Sequence, residues 1–318
     1  MKIAVLERNS VGIDTDVSCY ELLGDVVYYP NTIKENTTEH IGDADIVIAN
    51  KTPLNEETLK DCKNVKLICE FATGYDNIDL SYCETRGIKV ANVKDYSTAA
   101  VAQHTFALLF YVLEKLHHYD HYVKSGAYAA QDRFSNFDIP FSELDGKTWG
   151  IIGMGNIGRK VANIASAFGC KVIFFSTSGK STVTEYEKVS FDELLKRSDI
   201  VSIHCPLTER TKNLIDLNAL QKMKKTAILI NVARGPIVKD EDLYEALSKD
   251  LIAAAGLDVV GKEPMVSTNP LSTFQDSNRL IITPHLAWAS TEARERLVAE
   301  VFQNIKAFLD GEDRNLVN

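Results

Sequence analysis

A glycine-rich turn between a strand-like run and a helix-like run constrains the fold of this chain more than any other feature. The turn is the G-x-G-x-x-G of residues 153–158, and it follows the apolar run 149–152. Apolar residues then recur at helical spacing as far as Phe168. In that context the first glycine allows a tight turn, the second admits a pyrophosphate, and the third lets helix and strand pack closely. The motif therefore predicts a dinucleotide phosphate bound at a helix N-terminus.

Short apolar runs alternate with helix-compatible runs on both sides of this turn. After residue 147 the strand-like runs are 148–153, 171–177, 199–204, 227–232, 254–260 and 280–283, and the helix-like runs are 156–168, 191–197, 217–223 and 241–249. Before residue 98 the strand-like runs are 2–6, 25–29, 45–49, 66–71 and 89–93. Such alternation predicts an α/β protein with two doubly wound parallel-sheet domains.

We expect the phosphate-binding domain to be an insertion. The first alternating unit has no glycine turn, and an amphipathic helix at 291–309 closes the chain. Residues 1–98 with 286–318 are therefore predicted to form a substrate domain, and residues 99–285 the dinucleotide-binding domain. A total of 318 residues suits two domains. One long helix, predicted over 98–124, is rich in Phe and Tyr and is expected to pack against a partner subunit in a homodimer.

Composition excludes several classes of partner and location. A formal net charge of −9 argues against nucleic acid binding. No apolar run approaches the ~20 residues that cross a bilayer, and the N-terminal run lacks the features of a signal peptide. Six cysteines without a C-x-x-C spacing predict reduced thiols in the cytoplasm. His117 and His121 share a helical face, but without a third ligand at fixed spacing we predict no metal site.

The end of the second strand of the phosphate-binding domain lacks the acidic residue that usually binds the ribose 2′-hydroxyl. Ser176, Thr177 and Lys180 stand there instead. Without a carboxylate, a 2′-phosphate is not repelled, and the hydroxyls and the ammonium group can attract it. The sequence therefore predicts that NADP is tolerated or preferred, with NAD binding through hydroxyls as the alternative.

Three polar residues follow strand-like runs, where open α/β sheets bind ligands. Arg234 can clamp a carboxylate with two hydrogen bonds, and His285 can give or take a proton near neutral pH. Glu263 beside such a histidine would stabilise its imidazolium form and select its tautomer. Each residue alone suits a surface loop, but their joint placement predicts a catalytic group.

Taken together, these motifs resemble those of the D-2-hydroxyacid dehydrogenases, in order and spacing, over essentially the whole chain. The matching segments are 73–79, 96–104, 153–158, 231–235, 256–259 with Glu263-Pro264, and 283–285. Residues 97–104 and 285–290 are most similar to the glycerate dehydrogenase, or hydroxypyruvate reductase, branch. The resemblance implies a Rossmann domain inserted into a flavodoxin-like substrate domain. It also implies hydride transfer between NAD(P) and a small 2-oxo or 2-hydroxy acid, with hydroxypyruvate/D-glycerate or glyoxylate/glycolate favoured.

The resemblance also implies individual roles. His285 would be the acid/base at the C2 oxygen, Glu263 its partner, and Arg234 the group that binds the carboxylate and carbonyl. The expected substrate-binding residues are Thr73, Gly74, Tyr75, Arg234 and His285. Lys51 follows a strand-like run and is also expected to reach the substrate, with a solvated surface lysine as the alternative. The expected cofactor-binding residues are Gly153, Gly155, Asn156, Ile157, Gly158, Ser176, Thr177, Lys180, Cys205, Pro206, Val232, Ala233, Asp258 and Ala287. Asp258 would lie by the nicotinamide carboxamide, and Cys205-Pro206 would line the adenine side. Ser176 departs from the Asp that many members carry.

Two alternatives remain open from the sequence. One is another D-2-hydroxyacid dehydrogenase, acting on D-lactate or a branched 2-hydroxy acid, because pocket shape decides between them. The other is a dinucleotide-sensing binding protein without turnover. The presence of Arg234, Glu263 and His285 together argues against the second alternative.

Overall fold

The structure, a computed structural model, describes all residues from Met1 to Asn318 and separates them into two units. Met1–Ser97 with Ala289–Asn318 forms the first unit, and Thr98–Trp288 forms the second. The first boundary, after Ser97, lies one residue before the predicted boundary. The second boundary, after Trp288, lies three residues after the predicted one. Leu286 and Ala287 stay with the second unit because their backbone N–H groups donate to the carboxylate of Asp258.

The elements of the chain are as follows. The strands are β1 Lys2–Val5, β2 Asp25–Tyr28, β3 Ile46–Ala49, β4 Leu67–Glu70, β5 Lys89–Ala91, β6 Thr148–Ile152, β7 Lys171–Phe175, β8 Glu187–Lys188, β9 Ile200–Ile203, β10 Ile228–Asn231, β11 Ala254–Leu257 and β12 Leu280–Ile282. The α-helices are α1 Thr37–Ile41, α2 Glu56–Leu59, α3 Leu80–Thr85, α4 Thr98–Leu113, α5 Leu116–Lys124, α6 Ala127–Ala130, α7 Asn156–Ala167, α8 Phe191–Arg197, α9 Leu217–Lys222, α10 Asp240–Ser248 and α11 Thr291–Leu309. Short 3₁₀ turns cover Arg8–Val11, Ser18–Leu22, Lys34–Asn36, Gly235–Ile237 and Pro270–Thr273. No helix combines the length and the apolar character needed to cross a bilayer.

The first unit is a five-stranded parallel sheet in the order β2-β1-β3-β4-β5, which is the flavodoxin-like order. Strands β3 and β4 are buried at every residue, because a parallel sheet wound by helices is covered on both faces. Helix α11 completes this unit. Its first turn is capped by the hydroxyl of Ser290, which accepts from the N–H of Ala293, and the hydroxyl of Tyr20 donates to the carbonyl of Val298.

The second unit is a seven-stranded parallel sheet in the order β12-β11-β10-β9-β6-β7-β8, the Rossmann order extended by one strand. Alternate residues of β6 enter cores on opposite faces: Ile151 packs in the core that holds Leu108, and Ile152 in the core that holds Leu194. The fold class predicted from the alternation is confirmed. Strand β8 was missed, because two exposed residues at a sheet edge carry no apolar pattern.

The prediction of one helix over 98–124 is wrong. Helix α4 ends at Leu113. Lys115 adopts a left-handed conformation, with φ +56°, and so interrupts the helix before α5 begins at Leu116. The ammonium group of Lys115 donates to the carbonyl of Asn278, 3.2 Å away, so a long-range contact accompanies the break. Helix α4 has seven buried residues among its 16, whereas α5 has no buried residue.

Candidate active site

The glycine turn after β6 has the shape that a dinucleotide phosphate requires. Gly153 has φ +96°, and a Cβ there would stand 2.7 Å from the backbone nitrogen of Cys205. A Cβ on Gly158 would stand 2.2 Å from the carbonyl oxygen of Gly153, so the helix and the turn are in close contact. A Cβ on Gly155, by contrast, would meet nothing within 4 Å. The turn is therefore tight on its inner side and open above Gly155.

Helix α7 begins at this open side with Asn156 and Ile157. No side chain caps its N-terminus, so the N–H groups of its first turn and the positive end of its dipole face the place where an anion would bind. These features fit the pyrophosphate of NAD or NADP.

The loop after β7 turns the side chain of Ser176 inward. Its hydroxyl accepts from the N–H of Ser181 at 3.4 Å, its carbonyl accepts from the N–H of Gly179 at 3.1 Å, and the residue is buried. Thr177 is half-buried and Lys180 is exposed. The structure thus holds the hydroxyl of Ser176 within its own loop and leaves the Lys180 side chain in solvent.

The loop after β9 lies against the glycine turn. The N–H of His204 donates to the carbonyl of Ile152 at 2.8 Å, which joins the ends of β9 and β6. Cys205 is buried against Gly153, and burial raises the pKa of its thiol to about 12. Burial lowers the pKa of His204 to about 3, so its ring is neutral. Pro206 is exposed.

The side chain of Asn231 shapes the loop that carries Arg234. Its Oδ1 accepts from the N–H of Ala233 at 3.0 Å, and its Nδ2 donates to the carbonyl of Arg234 at 3.0 Å. The guanidinium of Arg234 is half-buried and donates through Nη1 to the carbonyl of Ala233. Val232, the residue directly after β10, is buried.

The structure brings Glu263 and His285 together. Nδ1 of His285 lies 2.7 Å from Oε2 of Glu263, and their side chains are 25% and 33% exposed. The other oxygen of Glu263 accepts from the N–H of Val260 at 3.2 Å, which fixes the carboxylate. Because a carboxylate accepts hydrogen bonds, Nδ1 carries the hydrogen, and Nε2 is left to exchange a proton with another molecule.

The backbone at His285 is unusual for a residue other than glycine. Its φ is +53°, a conformation that costs free energy and is retained where surrounding contacts impose it. The N–H of His285 is shared between the carbonyls of Asp258 and Thr283, at 2.8 and 2.9 Å.

Asp258 holds the residues that follow His285. Its carboxylate is 1% exposed and accepts from the N–H groups of Leu286 and Ala287 at 2.9 and 2.8 Å and from the hydroxyl of Thr283 at 2.6 Å. These hydrogen bonds give Asp258 a structural role at this loop, beside the cofactor role that the resemblance implies.

In the first unit, the predicted substrate residues lie on loops that follow β3 and β4. Lys51 is exposed, and the hydroxyl of Thr73 donates to the carbonyl of Val93 at 2.7 Å. Nδ2 of Asn92 donates to the carbonyl of Thr73, also at 2.7 Å. Gly74 and Tyr75, which follow, are half-buried.

Two glutamates at the carboxyl ends of strands were missed. The carboxylate of Glu7, just after β1, accepts from the backbone N–H groups of Asn50, Lys51 and Thr52 at 2.7, 3.0 and 3.2 Å, and so holds the loop of Lys51. Glu70, the last residue of β4, is fully buried, and burial raises its pKa well above the usual range. A carboxylate directly after an apolar run of the sequence was the available signal for both.

The chain is similar to several known proteins. Residues 106–287 match the model of the "D-isomer specific 2-hydroxyacid dehydrogenase, NAD binding domain" family. A hydroxypyruvate reductase of Blautia hydrogenotrophica is 39% identical over 100% of both chains. A glycerate dehydrogenase of Methylorubrum extorquens is 36% identical over 99% of this chain and 98% of its own. The solved structure of an acyclic imino acid reductase with NADPH and D-Arg is 33% identical, with complete coverage of both chains and a TM-score of 0.89.

Proposed function

Because the chain belongs to the D-isomer-specific 2-hydroxyacid dehydrogenase family, we propose that its substrate pairs are hydroxypyruvate with D-glycerate and glyoxylate with glycolate. The chain is an oxidoreductase that interconverts 2-hydroxy and 2-oxo acids with a nicotinamide dinucleotide. The 2.7 Å contact between His285 and Glu263, on loops after adjacent strands, is the observation that carries the proposed mechanism.

His285 supplies the proton in this mechanism. When bound, the reduced dinucleotide supplies a hydride to C2 of the oxo acid. His285 donates the proton on Nε2 to the C2 oxygen, so that the carbonyl oxygen becomes the hydroxyl group of the 2-hydroxy acid. Glu263 stabilises the imidazolium form from which that proton comes and holds the ring through Nδ1. In the oxidative direction, Nε2 accepts the same proton.

Arg234 binds the substrate in our proposal. A guanidinium offers paired donors that match a carboxylate and can also polarise a neighbouring carbonyl. The backbone N–H groups of Thr73, Gly74 and Tyr75, with Lys51, are proposed to bind the substrate carboxylate as well. The hydrogen bonds at Thr73 and the carboxylate of Glu7 support this proposal, because they order the two loops before substrate arrives.

The cofactor is proposed to be NAD or NADP. The open space above Gly155 and the uncapped start of α7 suit the pyrophosphate. The absence of a carboxylate at Ser176, the exposed Lys180 and a 33%-identical relative solved with NADPH support acceptance of NADP. The further residues proposed to contact the cofactor are Asn156, Ile157, Thr177, Cys205, Pro206, Val232, Ala233, Asp258 and Ala287.

We further propose a homodimer formed through the 98–124 region and the segment after it. Large apolar side chains are exposed there: Leu116 49%, Val123 55%, Tyr128 45%, Phe134 92%, Phe137 77% and Phe141 56%. A second copy of the chain would cover them. Light scattering at several protein concentrations tests this.

The six free cysteines support a reducing compartment, the cytoplasm, as the place of action.

The test of the substrate assignment is a panel of 2-oxo acids with NADH and with NADPH. We expect the highest kcat/KM with hydroxypyruvate or glyoxylate. A higher kcat/KM with pyruvate or a branched 2-oxo acid would indicate that the enzyme belongs to another branch of the family. The similarity to the imino acid reductase favours reduction of imino acids as a second candidate function. Each 2-oxo acid is therefore also assayed with ammonium, from which an imino acid can form. Tight NADH binding without any turnover would instead indicate a dinucleotide-sensing protein.

A further inference from the structure

Helix α4 contributes a histidine to the loop that carries His285. Nε2 of His104 lies 2.9 Å from Oγ1 of Thr283, and that oxygen lies 2.6 Å from Oδ1 of Asp258. The side chains of His104 and Asp258 are 18% and 1% exposed, so water competes little for these bonds. His104 and Thr283 have no role in the mechanism above.

The direction of these hydrogen bonds follows from the available protons. Thr283 has one hydroxyl hydrogen, and the carboxylate of Asp258 can only accept, so Thr283 donates to Asp258. Oγ1 of Thr283 is then an acceptor, and Nε2 of His104 must carry the hydrogen that it receives. Burial lowers the pKa of His104, and the charge of Asp258 opposes that change in part. A neutral His104 with its hydrogen on Nε2 satisfies this arrangement.

The chain of bonds ends at the backbone of His285. Asp258 accepts from the N–H groups of Leu286 and Ala287, and the carbonyls of Asp258 and Thr283 share the N–H of His285. Oγ1 of Thr283 also lies 3.4 Å from the carbonyl of Leu257, which offers its hydroxyl a competing acceptor. The carboxylate of Asp258, at 2.6 Å, is the closer acceptor, so the hydroxyl donates there, and the bond from His104 holds the oxygen in that position.

We propose that His104 is a positioning residue for His285, acting through Thr283 and Asp258 to hold the left-handed turn that places the His285 imidazole. The inference rests on the proposed role of His285 as proton donor. It predicts that the hydrogen from position 104, rather than the bulk of the ring, is what the reaction needs.

The test compares variants that remove the bond with variants that keep it. His104→Phe and Thr283→Val remove it, whereas His104→Gln retains an N–H donor and Thr283→Ser retains the hydroxyl. With the 2-oxo acid that wild type turns over fastest, we expect about tenfold lower kcat in the first two, with KM and the Kd for NADH within twofold of wild type. The conservative variants should recover most of the rate, and the double variant His104→Phe/Thr283→Val should be no worse than the poorer single variant.

A matched control separates positioning from stability. Thr105 is the next residue of α4, is buried, and bonds through its hydroxyl to the carbonyl of Val101 within the same helix. Thr105→Val removes a buried hydroxyl in the same way, and we expect its kcat to equal that of wild type even where its melting temperature falls.

A second readout does not depend on turnover. In ¹⁵N-histidine-labelled protein, the ring signal of His285, identified as the one missing in His285→Ala, should shift in His104→Phe and not in Thr105→Val. If wild type reduces no 2-oxo acid, the proposed function fails and this spectrum still decides the coupling. An unmoved His285 signal, a kcat within twofold of wild type in His104→Phe, or an equal loss in His104→Gln would each overturn the inference.

Discussion

The α-carbon of Gly235 and the carbonyl oxygen of Val260 lie so close together that a Cβ at position 235 would stand 1.7 Å from that oxygen. The N–H of Val260 donates to Glu263, and Gly235 directly follows Arg234. The contact therefore joins the loop of Arg234 to the loop of Glu263, at the ends of the neighbouring strands β10 and β11.

Gly235→Ala should separate these two loops. We expect a destabilisation of about 1–3 kcal/mol from overpacking and a lower kcat/KM, because Arg234 and Glu263 no longer hold their relative positions. Thermal unfolding and steady-state kinetics measure the two effects. Gly155→Ala is the matched variant for stability: nothing lies within 4 Å of its Cβ, so its melting temperature should stay at the wild-type value. An unchanged melting temperature in Gly235→Ala would contradict the packing argument.

His285→Ala should lower kcat by about 10²–10⁴-fold, the usual contribution of a general acid. Binding of NADH, followed by fluorescence titration, should remain. Glu263→Gln should give a smaller loss, since an amide oxygen still accepts from Nδ1 but no longer stabilises an imidazolium. Turnover near wild type in His285→Ala would show that another group moves the proton.

Arg234→Ala should act mainly on the substrate. Losing the paired donors should raise KM strongly and reduce kcat as well, because polarisation of the carbonyl is lost. Arg234→Lys restores the charge without the planar pair of donors and should recover only part of the loss. Kinetics over a wide range of oxo acid concentration measures both constants, and an unchanged KM in Arg234→Ala would remove this residue from the substrate site.

The nicotinamide dinucleotide that the enzyme prefers can be tested at position 176. We expect wild-type kcat/KM with NADPH to lie within about tenfold of that with NADH, a difference of ~1.4 kcal/mol. Ser176→Asp should shift the ratio toward NADH, because a carboxylate repels a 2′-phosphate and accepts from a 2′-hydroxyl. Ser166→Asp, ten residues beyond the start of α7 and exposed, adds the same charge away from the turn. If wild type already rejects NADPH by several orders of magnitude, position 176 does not set the preference.

Glu70 should make stability depend on pH. Its pKa is raised in the folded state by burial, so the folded protein keeps a proton that the unfolded chain releases. The stabilisation is complete below the unfolded pKa of about 4.5 and is lost as the pH rises toward the folded pKa. Glutamine has no proton to lose in this pH range, so Glu70→Gln does not lose stability in this way as the pH rises. The melting temperature of the variant minus that of wild type should therefore be larger at pH 8 than at pH 5. Glu39→Gln, at an exposed position, is the control, and an equal gain at both pH values would contradict the prediction.

Local patterns allowed the sequence alone to determine much of this protein. Helices α8 and α11 begin and end at the predicted residues, and their first turns are capped by Ser190 and Ser290, which accept hydrogen bonds from residues three positions along the chain. The glycine turn, the parallel α/β class and the family follow from residue types at short, regular spacings. Arg234, Glu263 and His285 could be selected because all three follow apolar strands.

Only the tertiary structure decided which distant groups meet. Glu7 reaches the N–H of Asn50 across 43 positions, and His104 reaches Thr283 across 179. The break at Lys115 and the edge strand β8 likewise carry no local signal. The physical reason is one of range: caps and turns are bonds between residues a few positions apart, so the sequence shows both partners together. Bonds between loops instead depend on which strands lie side by side and in what register, and that is known only once the sheets are assembled.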